Sequence, residues 1–252
     1  VTIPNPSEPA SPAPYQHLQV GTATALGARA DNQDRVSWGD GWAVVSDGMG
    51  GYAGGGRAAE LTVAAVAAVL AGAGEHPATL VLEAIERANA EVRAERDMQS
   101  ELARMGATVT VAASAGAGRW VVANVGDSPA WLVGAGGTEV VSEEHNLTGE
   151  LVRTGALDPA GATGHPGRRV LTRAVGIEAH AVPAVATVAP VPGQRLILAS
   201  DGVAGGVDPG TLYGLLGPTE SGSASSDAEQ LVEAAIAGGA TDNVTVVVLR
   251  FT

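Results

Sequence analysis

Trp42-Ala43-Val44-Val45-Ser46-Asp47-Gly48-Met49-Gly50-Gly51 runs four apolar residues into a serine, one carboxylate and a glycine-rich turn. Trp42 to Val45 reads as a buried strand, and glycine after Asp47 frees the backbone to turn tightly with its carbonyls toward a ligand. Two chemistries use such an arrangement. Gly48-x-Gly50-x-x-Ala53 fits the loose glycine fingerprint of a dinucleotide site. Asp47 would then lie against a pyrophosphate, which is repulsive unless a cation intervenes. The other chemistry supplies that cation: Asp47 binds a hard divalent metal through oxygen, Gly48 offers its carbonyl, and further acids arrive from elsewhere in the chain.

Outward from this stretch the same signature returns. Arg195-Leu196-Ile197-Leu198-Ala199-Ser200-Asp201-Gly202 is again a strand apolar on both faces followed by Ser-Asp-Gly. Thr241-Asp242-Asn243 leads into Val244 to Phe251, apolar on both faces and therefore a central strand. Asp127, in Val125-Gly126-Asp127-Ser128, is expected in a hairpin, and Asp34 closes the polar turn Arg29-Ala30-Asp31-Asn32-Gln33-Asp34. Taken singly, an Asp beside Gly is more often a turn former than a ligand. Acids at 34, 47, 127, 201 and 242, all at strand ends and accompanied by Arg29, can converge at one edge of a sheet sandwich.

The connecting segments supply the layers. A first strand is expected within His17 to Ala28, and a hairpin from Val36 to Asp47. Apolar residues at helical spacing predict helices over Gly56 to Ala71 and Thr79 to Arg96, covering a sheet. Gly106 to Ala113, Arg119 to Val125 and Pro129 to Val133 read as an antiparallel meander. Ser142 to Arg173 is a long polar excursion, weakly helical near Leu147 to Gly155, and Asp227 to Ala237 is a helix with Asp227 as its cap and Gly238-Gly239 as its stop. Residues 1–16 are a Pro-rich leader and 17–252 the folded domain.

Composition narrows the chemistry. The chain has 252 residues, 45% of them hydrophobic, enough for one domain with a substantial core. A net charge of -13 argues against nucleic acid or an anionic membrane as partner. All 14 basic residues are arginine, which excludes a Gly-Lys-Ser/Thr phosphate loop and a Schiff base. Without cysteine there is no disulfide, thiolate nucleophile or zinc-thiolate site. No apolar run approaches the ~20 residues of a membrane helix, and there is no secretory signal, so a cytoplasmic monomer is expected.

Taken in order, Arg29-x-x-Asn32-Gln33-Asp34, Asp47-Gly48-Met49-Gly50-Gly51, Met105-Gly106-Ala107-Thr108, Ala123-Asn124-Val125-Gly126-Asp127-Ser128, Leu171-Thr172-Arg173-Ala174-Val175-Gly176, Ser200-Asp201-Gly202 and Asp242-Asn243-Val244-Thr245 resemble the PP2C-type metal-dependent serine/threonine phosphatases in their bacterial form. The resemblance covers about residues 17–252. It implies an α+β fold, a four-layer α-β-β-α sandwich of two antiparallel sheets flanked by helices. It also implies two Mn²⁺ or Mg²⁺ ions, and hydrolysis of phosphoserine and phosphothreonine in proteins by a metal-bridging water or hydroxide attacking phosphorus directly. By position, Asp47 would bridge both ions, the Gly48 carbonyl would bind one, Asp201 and Asp242 the other, and Asp34 would hold metal-bound waters. Asp127 with Asp201 would form a third site, Arg29 would grip phosphoryl oxygens with its planar fork, and residues 147–168 match a flap beside the channel. Partners would be phosphorylated Ser/Thr proteins, a Ser/Thr kinase among them.

Departures from that pattern are specific. Met49 stands where eukaryotic relatives carry a histidine able to donate a proton, Pro129 where many members have arginine, and Gly164 where some have serine. His165 is expected to be simply exposed. Two rivals stay open at this point: a pseudophosphatase that binds phosphoproteins without turnover, and the dinucleotide enzyme. Arg29 could also be no more than a surface ion-pair partner of Asp31 or Asp34.

Overall fold

The computed structural model describes residues 16–49, 54–72, 74–162, 164–217 and 221–252. The leader, apart from Gln16, and Gly50, Gly51 and Ala53 of the opening motif lie outside the described residues.

Strands follow the apolar runs, and the central ones place alternate residues in two different cores. One sheet orders β1 (Leu18–Ala25), β12 (Val244–Phe251), β11 (Arg195–Ala199), β8 (Ala130–Gly134) and β9 (Gly137–Val140). The second orders β10 (Ala184–Val188), β7 (Trp120–Val125), β6 (Val109–Ser114), β3 (Trp42–Ser46) and β2 (Arg35–Gly39). All the pairings in both sheets are antiparallel. Between the sheets lie Ala43, Val45, Trp120, Val122, Leu132, Leu196, Leu198, Val247, Leu249 and Phe251. Trp120 meets Phe251 edge-on there, with ring centroids 5.4 Å apart. The intervening residues point the other way: Trp42, Val44, Val109 and Val111 under one helical layer, Ile197, Val244, Val246 and Val248 under another. This double burial explains why the central strands lack polar alternation.

One helical layer is α1 (Gly54–Leu70) and α2 (Ala78–Met98), the other α4 (Asp201–Gly206), α5 (Pro209–Leu216) and α6 (Ala224–Ala237). The buried stripe of α1 is built from Gly54, Gly55, Ala58, Ala59, Thr62, Val63, Ala65, Val66 and Leu70, small enough to let backbones approach closely. The four-layer α-β-β-α sandwich is therefore present.

Three details differ from the sequence reading. The helix near the C-terminus begins at Ala224 and is capped by Ser223, whose hydroxyl accepts from Ser226 N at 3.2 Å while Ser226 Oγ accepts from Ser223 N at 2.9 Å. Asp227 is no cap; it is buried and accepts from Arg195 Nε at 3.2 Å and Arg250 Nη1 at 3.3 Å. Nor does Asp127 sit in a hairpin, because β7 and β8 belong to different sheets and Gly126 to Pro129 carries the chain across the sandwich. Turn length alone could not separate a hairpin from this crossing. Finally, β9, β10, α4 and α5 were not anticipated, since their sequences are short or rich in glycine.

Candidate metal centre

Each acid reaches the same end of the sandwich on its own element, and hydroxyl groups pin the backbones that carry them. Ser46 ends β3, and its Oγ donates to the Thr108 carbonyl at 2.7 Å. Asp47 N donates to Thr108 Oγ1 at 3.0 Å, and Thr108 N returns a bond to the Asp47 carbonyl at 2.8 Å. Thr108 Oγ1 also lies 2.6 Å from Ser128 Oγ, which ties the Asp47 strand to the crossing that holds Asp127. On the other sheet, Ser200 N donates to the Thr245 carbonyl and Thr245 N to Ser200 Oγ, both at 3.0 Å, fixing Asp201 beside the strand that follows Asp242.

The glycines after these acids serve close approach. Gly48 sits in β4 (Gly48–Met49), paired with β5 (Gly106–Ala107), and a Cβ there would lie 2.1 Å from the Gly55 carbonyl oxygen. A Cβ on Gly202 would lie 2.0 Å from the Asn243 carbonyl oxygen. In neither case could a side chain be admitted without moving backbone.

Asn243 secures the remaining segment. Its Oδ1 accepts from Gln33 N at 2.9 Å, and its Nδ2 donates to the carbonyls of Leu26 and Asp31, each at 3.0 Å. One buried amide thus clamps the loop bearing Arg29 and Asp34 onto the start of β12. Asp34 N is further held by Asn32 Oδ1 at 2.9 Å.

The outcome is a cleft of about 1240 Å³ whose lining includes Asp47, Asp127, Asp201, Asp242, Gly48 and Arg29. Asp34 is not on its surface; it lies just behind, 5% exposed. Burial raises the Asp47 carboxyl well above the ordinary carboxylate range, and the charges of Asp34, Asp201, Asp242 and Asp127 push it further. Asp201 is raised to about 7 by burial and then by Asp127, Asp242 and Asp34. Burial raises Asp127 to about 6 against the opposing effect of the Asn146 amide, which stands 3.4 Å away. Asp34 is raised by burial, with Asp242 adding to it. It faces the hydroxyls of Ser200 and Thr245 and the Asp47 carboxylate, yet neither of its oxygens makes a hydrogen bond of normal geometry. Asp201 Oδ1 is likewise buried without a partner.

Orphaned, mutually repelling carboxylate oxygens are the donor set a hard divalent cation requires. Among the described residues no three His, Asp or Glu side chains close around a single point. Gly48 and Met49 pair antiparallel with Ala107 and Gly106, and both large sheets are antiparallel, so the parallel strand-turn-helix-strand unit of a dinucleotide fingerprint is missing among the described residues and the dinucleotide reading falls.

Arg29 pairs with neither Asp31 nor Asp34. Its Nη2 donates to Asp242 Oδ2 at 2.6 Å, with the Arg29 side chain 60% exposed. Met49, Gly164, Arg168, Arg169 and Arg173 also line the cleft. The segment 147–168, expected as a flap, carries α3 (Leu147–Arg153) and a 3-10 turn at Pro159–Gly161 and runs into another at Pro166–Arg169. His165 is half-buried, not simply exposed, and Nδ1 accepts from Gly167 N at 3.1 Å and lies 3.0 Å from Thr148 Oγ1.

Asn146 lies outside the motifs that mark the acids in the sequence. It caps α3 by accepting from Gly149 N at 2.8 Å while its amide faces Asp127. The signal was present, an Asn directly before a helical segment. Thr108, Ser128 and Asn243 lay inside quoted motifs without a role assigned to them.

A family model described as Protein phosphatase 2C matches residues 23–235. The chain is 33% identical over 222 residues to the serine/threonine protein phosphatase PstP of Mycobacterium tuberculosis, covering 87% of this chain and 42% of that protein. It is thus similar to somewhat under half the length of that relative. The serine/threonine phosphatase stp of Listeria innocua is 30% identical over 214 residues, covering 82% of this chain and 83% of its own. A crystal structure of the PstP catalytic domain in complex with two manganese ions superposes with a TM-score of 0.81 at 30% identity, over 92% of this chain and 97% of that one. The ordered acids, the four layers and the match across most of the sequence agree: the chain belongs to the Protein phosphatase 2C family.

Proposed function

We propose that this protein hydrolyses phosphoserine and phosphothreonine esters in other proteins with Mn²⁺ or Mg²⁺ as cofactor. The observation that carries the reading is the convergence of Asp34, Asp47, Asp201 and Asp242 at one end of the sandwich, where both Asp34 oxygens and Asp201 Oδ1 are buried without a hydrogen-bond partner and the carboxyls raise one another. Asp47, the Gly48 carbonyl, Asp201 and Asp242 would hold two ions, Asp34 would hold water from behind them, and Asp127 with Asp201 would offer a third position. When bound, such ions act as Lewis acids and bring the pKa of water toward neutrality.

The chain's own groups do the rest. Of the five N–H donors of Arg29, Asp242 occupies one edge, so the fork remains able to hold phosphoryl oxygens from the solvent side of the cleft. Met49 has no proton to give, so the leaving alkoxide takes its proton from water. The Ser46, Thr108, Ser128, Ser200 and Asn243 bonds keep the acids in place before substrate arrives, which is where preorganisation gains rate.

The relatives' printed names support phosphorylated proteins as substrates; the proposal includes a phosphorylated Ser/Thr kinase among them. Among the described residues no helix is long and apolar enough to cross a membrane; a monomer acting in the cytoplasm is part of the same proposal. Purified protein incubated with an aryl phosphate and a phosphothreonine peptide should release phosphate on addition of Mn²⁺ and stop with chelator. Mn²⁺ binding without any release from either substrate would favour the pseudophosphatase reading instead.

A further inference from the structure

The walls of the cleft are mostly charged or small, and among the described lining residues the large apolar side chains are Met49, Leu171 and Ile177. Two of them come together over one glycine. A Cβ on Gly106 would lie 2.7 Å from Met49 Cε and 3.2 Å from Ile177 Cδ1, so both methyl groups occupy the room a side chain at that position would need. The shelf follows directly from the Asp47 segment, since Met49 pairs with Gly106 across β4 and β5 and Val175 bridges to Ala107 on the other side of β5.

An exposed isoleucine ordinarily needs no explanation. This one is held in place by an unusual number of polar contacts from α2. Buried Asn89 accepts from Gly176 N at 2.8 Å and donates to the carbonyls of Glu178 and Ala179 at 3.2 and 3.3 Å. Arg96 Nη1 donates to the carbonyls of Gly176 and Ile177, and Arg93 Nη1 to that of Ala179 at 3.1 Å. Gly176 has φ +88°, and a Cβ there would stand 2.2 Å from Val92 Cγ1, so the backbone accepts no other residue without strain. All of this fixes the segment that presents Ile177, 38% exposed, at the rim of the cleft.

Building on the phosphatase reading above, we infer that Met49 and Ile177 form a docking shelf for an aliphatic side chain next to the phosphorylated residue, making Ile177 a specificity-determining residue. The phosphoryl group goes to the acids at 47, 201 and 242, and an extended peptide carries its neighbouring side chains ~3.3 Å further per residue. The shelf begins two residues beyond Asp47, within reach of that neighbour. A charged or glycine neighbour would leave the exposed part of Ile177 in water. An aliphatic one removes apolar area on both partners.

The test uses the full chain with Mn²⁺, an aryl phosphate, and phosphothreonine peptides differing only in Leu, Gly, Asp or Arg beside the phosphoresidue. The aryl phosphate checks the underlying reading: no hydrolysis of it by the unaltered chain would refute the phosphatase assignment and the shelf with it. With that activity present, the Leu peptides should exceed the Asp peptides in kcat/KM by roughly tenfold, mainly through KM. In Ile177→Asp the order should invert toward a peptide with Arg at the same place, a change that general loosening of the segment would not produce. Equal kcat/KM across the peptide set, or an unchanged preference in Ile177→Asp, overturns the inference.

Discussion

Replacing Asn243 with alanine tests whether the Arg29–Asp34 loop owes its position to a single amide. The substitution removes one acceptor for Gln33 N and two donors to the Leu26 and Asp31 carbonyls, at 2.9, 3.0 and 3.0 Å. Asn243 is only 5% exposed, so water enters poorly to replace what is lost. At ~1 kcal/mol net per hydrogen bond, with little apolar contact to offset it, the loss is about 3 kcal/mol. For a domain of this size, with an m-value of ~2–3 kcal/mol/M in urea, the unfolding midpoint should fall by ~1–1.5 M at unchanged m. Asn243→Asp retains the acceptor and discards both donors while adding a charge beside Asp242, so it should be no better than alanine. Urea melts followed by circular dichroism measure both. A midpoint lowered by less than ~0.3 M in Asn243→Ala would refute the clamp, since two of its three bonds would then be worth nothing.

Asp201→Asn should abolish metal-induced stabilisation and nearly all activity. In metal-free protein at pH 7.5 or above it should raise the melting temperature, by ~4–8 °C for a relief of ~2 kcal/mol, which differential scanning calorimetry in chelator measures. The pH dependence follows from the same charges. Asp201 raised to about 7 and Asp127 to about 6 bind more protons folded than unfolded. Metal-free stability therefore falls as pH rises from ~4 to ~7, and the slope should flatten in Asp201→Asn; parallel slopes would count against the coupling. Gly202→Ala, with its Cβ 2.0 Å from the Asn243 carbonyl oxygen, should cost ~3 kcal/mol or more and depress soluble yield, whereas Gly205→Ala, which meets nothing within 4 Å, should not.

The sequence made the central strands legible because residues such as Val244 to Phe251 are buried on both faces and leave a run with no polar break. The acids were legible for the same reason: Asp47 and Asp201 each end such a run. What escaped depended on packing between distant segments. Asp227 looks like a cap by position, but its partners Arg195 and Arg250 lie on strands that only the folded sheet brings beside α6. The glycines at 48 and 202 were read as turn formers, whereas neither has positive φ and both exist to let another backbone pass. The route of Gly126 to Pro129 between sheets was hidden because a short connection looks alike whether its strands pair or separate. Arg29's choice of Asp242 over its sequence neighbours is a contact spanning the whole chain, beyond any local pattern.

Asp47 leaves one sheet and Asp201 the other, with Asp127 on the bridge that joins them, so the spacing of the acids is inherited from the thickness of the sandwich. Interior side chains such as Trp120, Leu198 and Phe251 then act as a gauge block for the ions. Altering the bulk of that filling offers a handle on which cation, smaller or larger, the proposed site prefers, without replacing any of its acids.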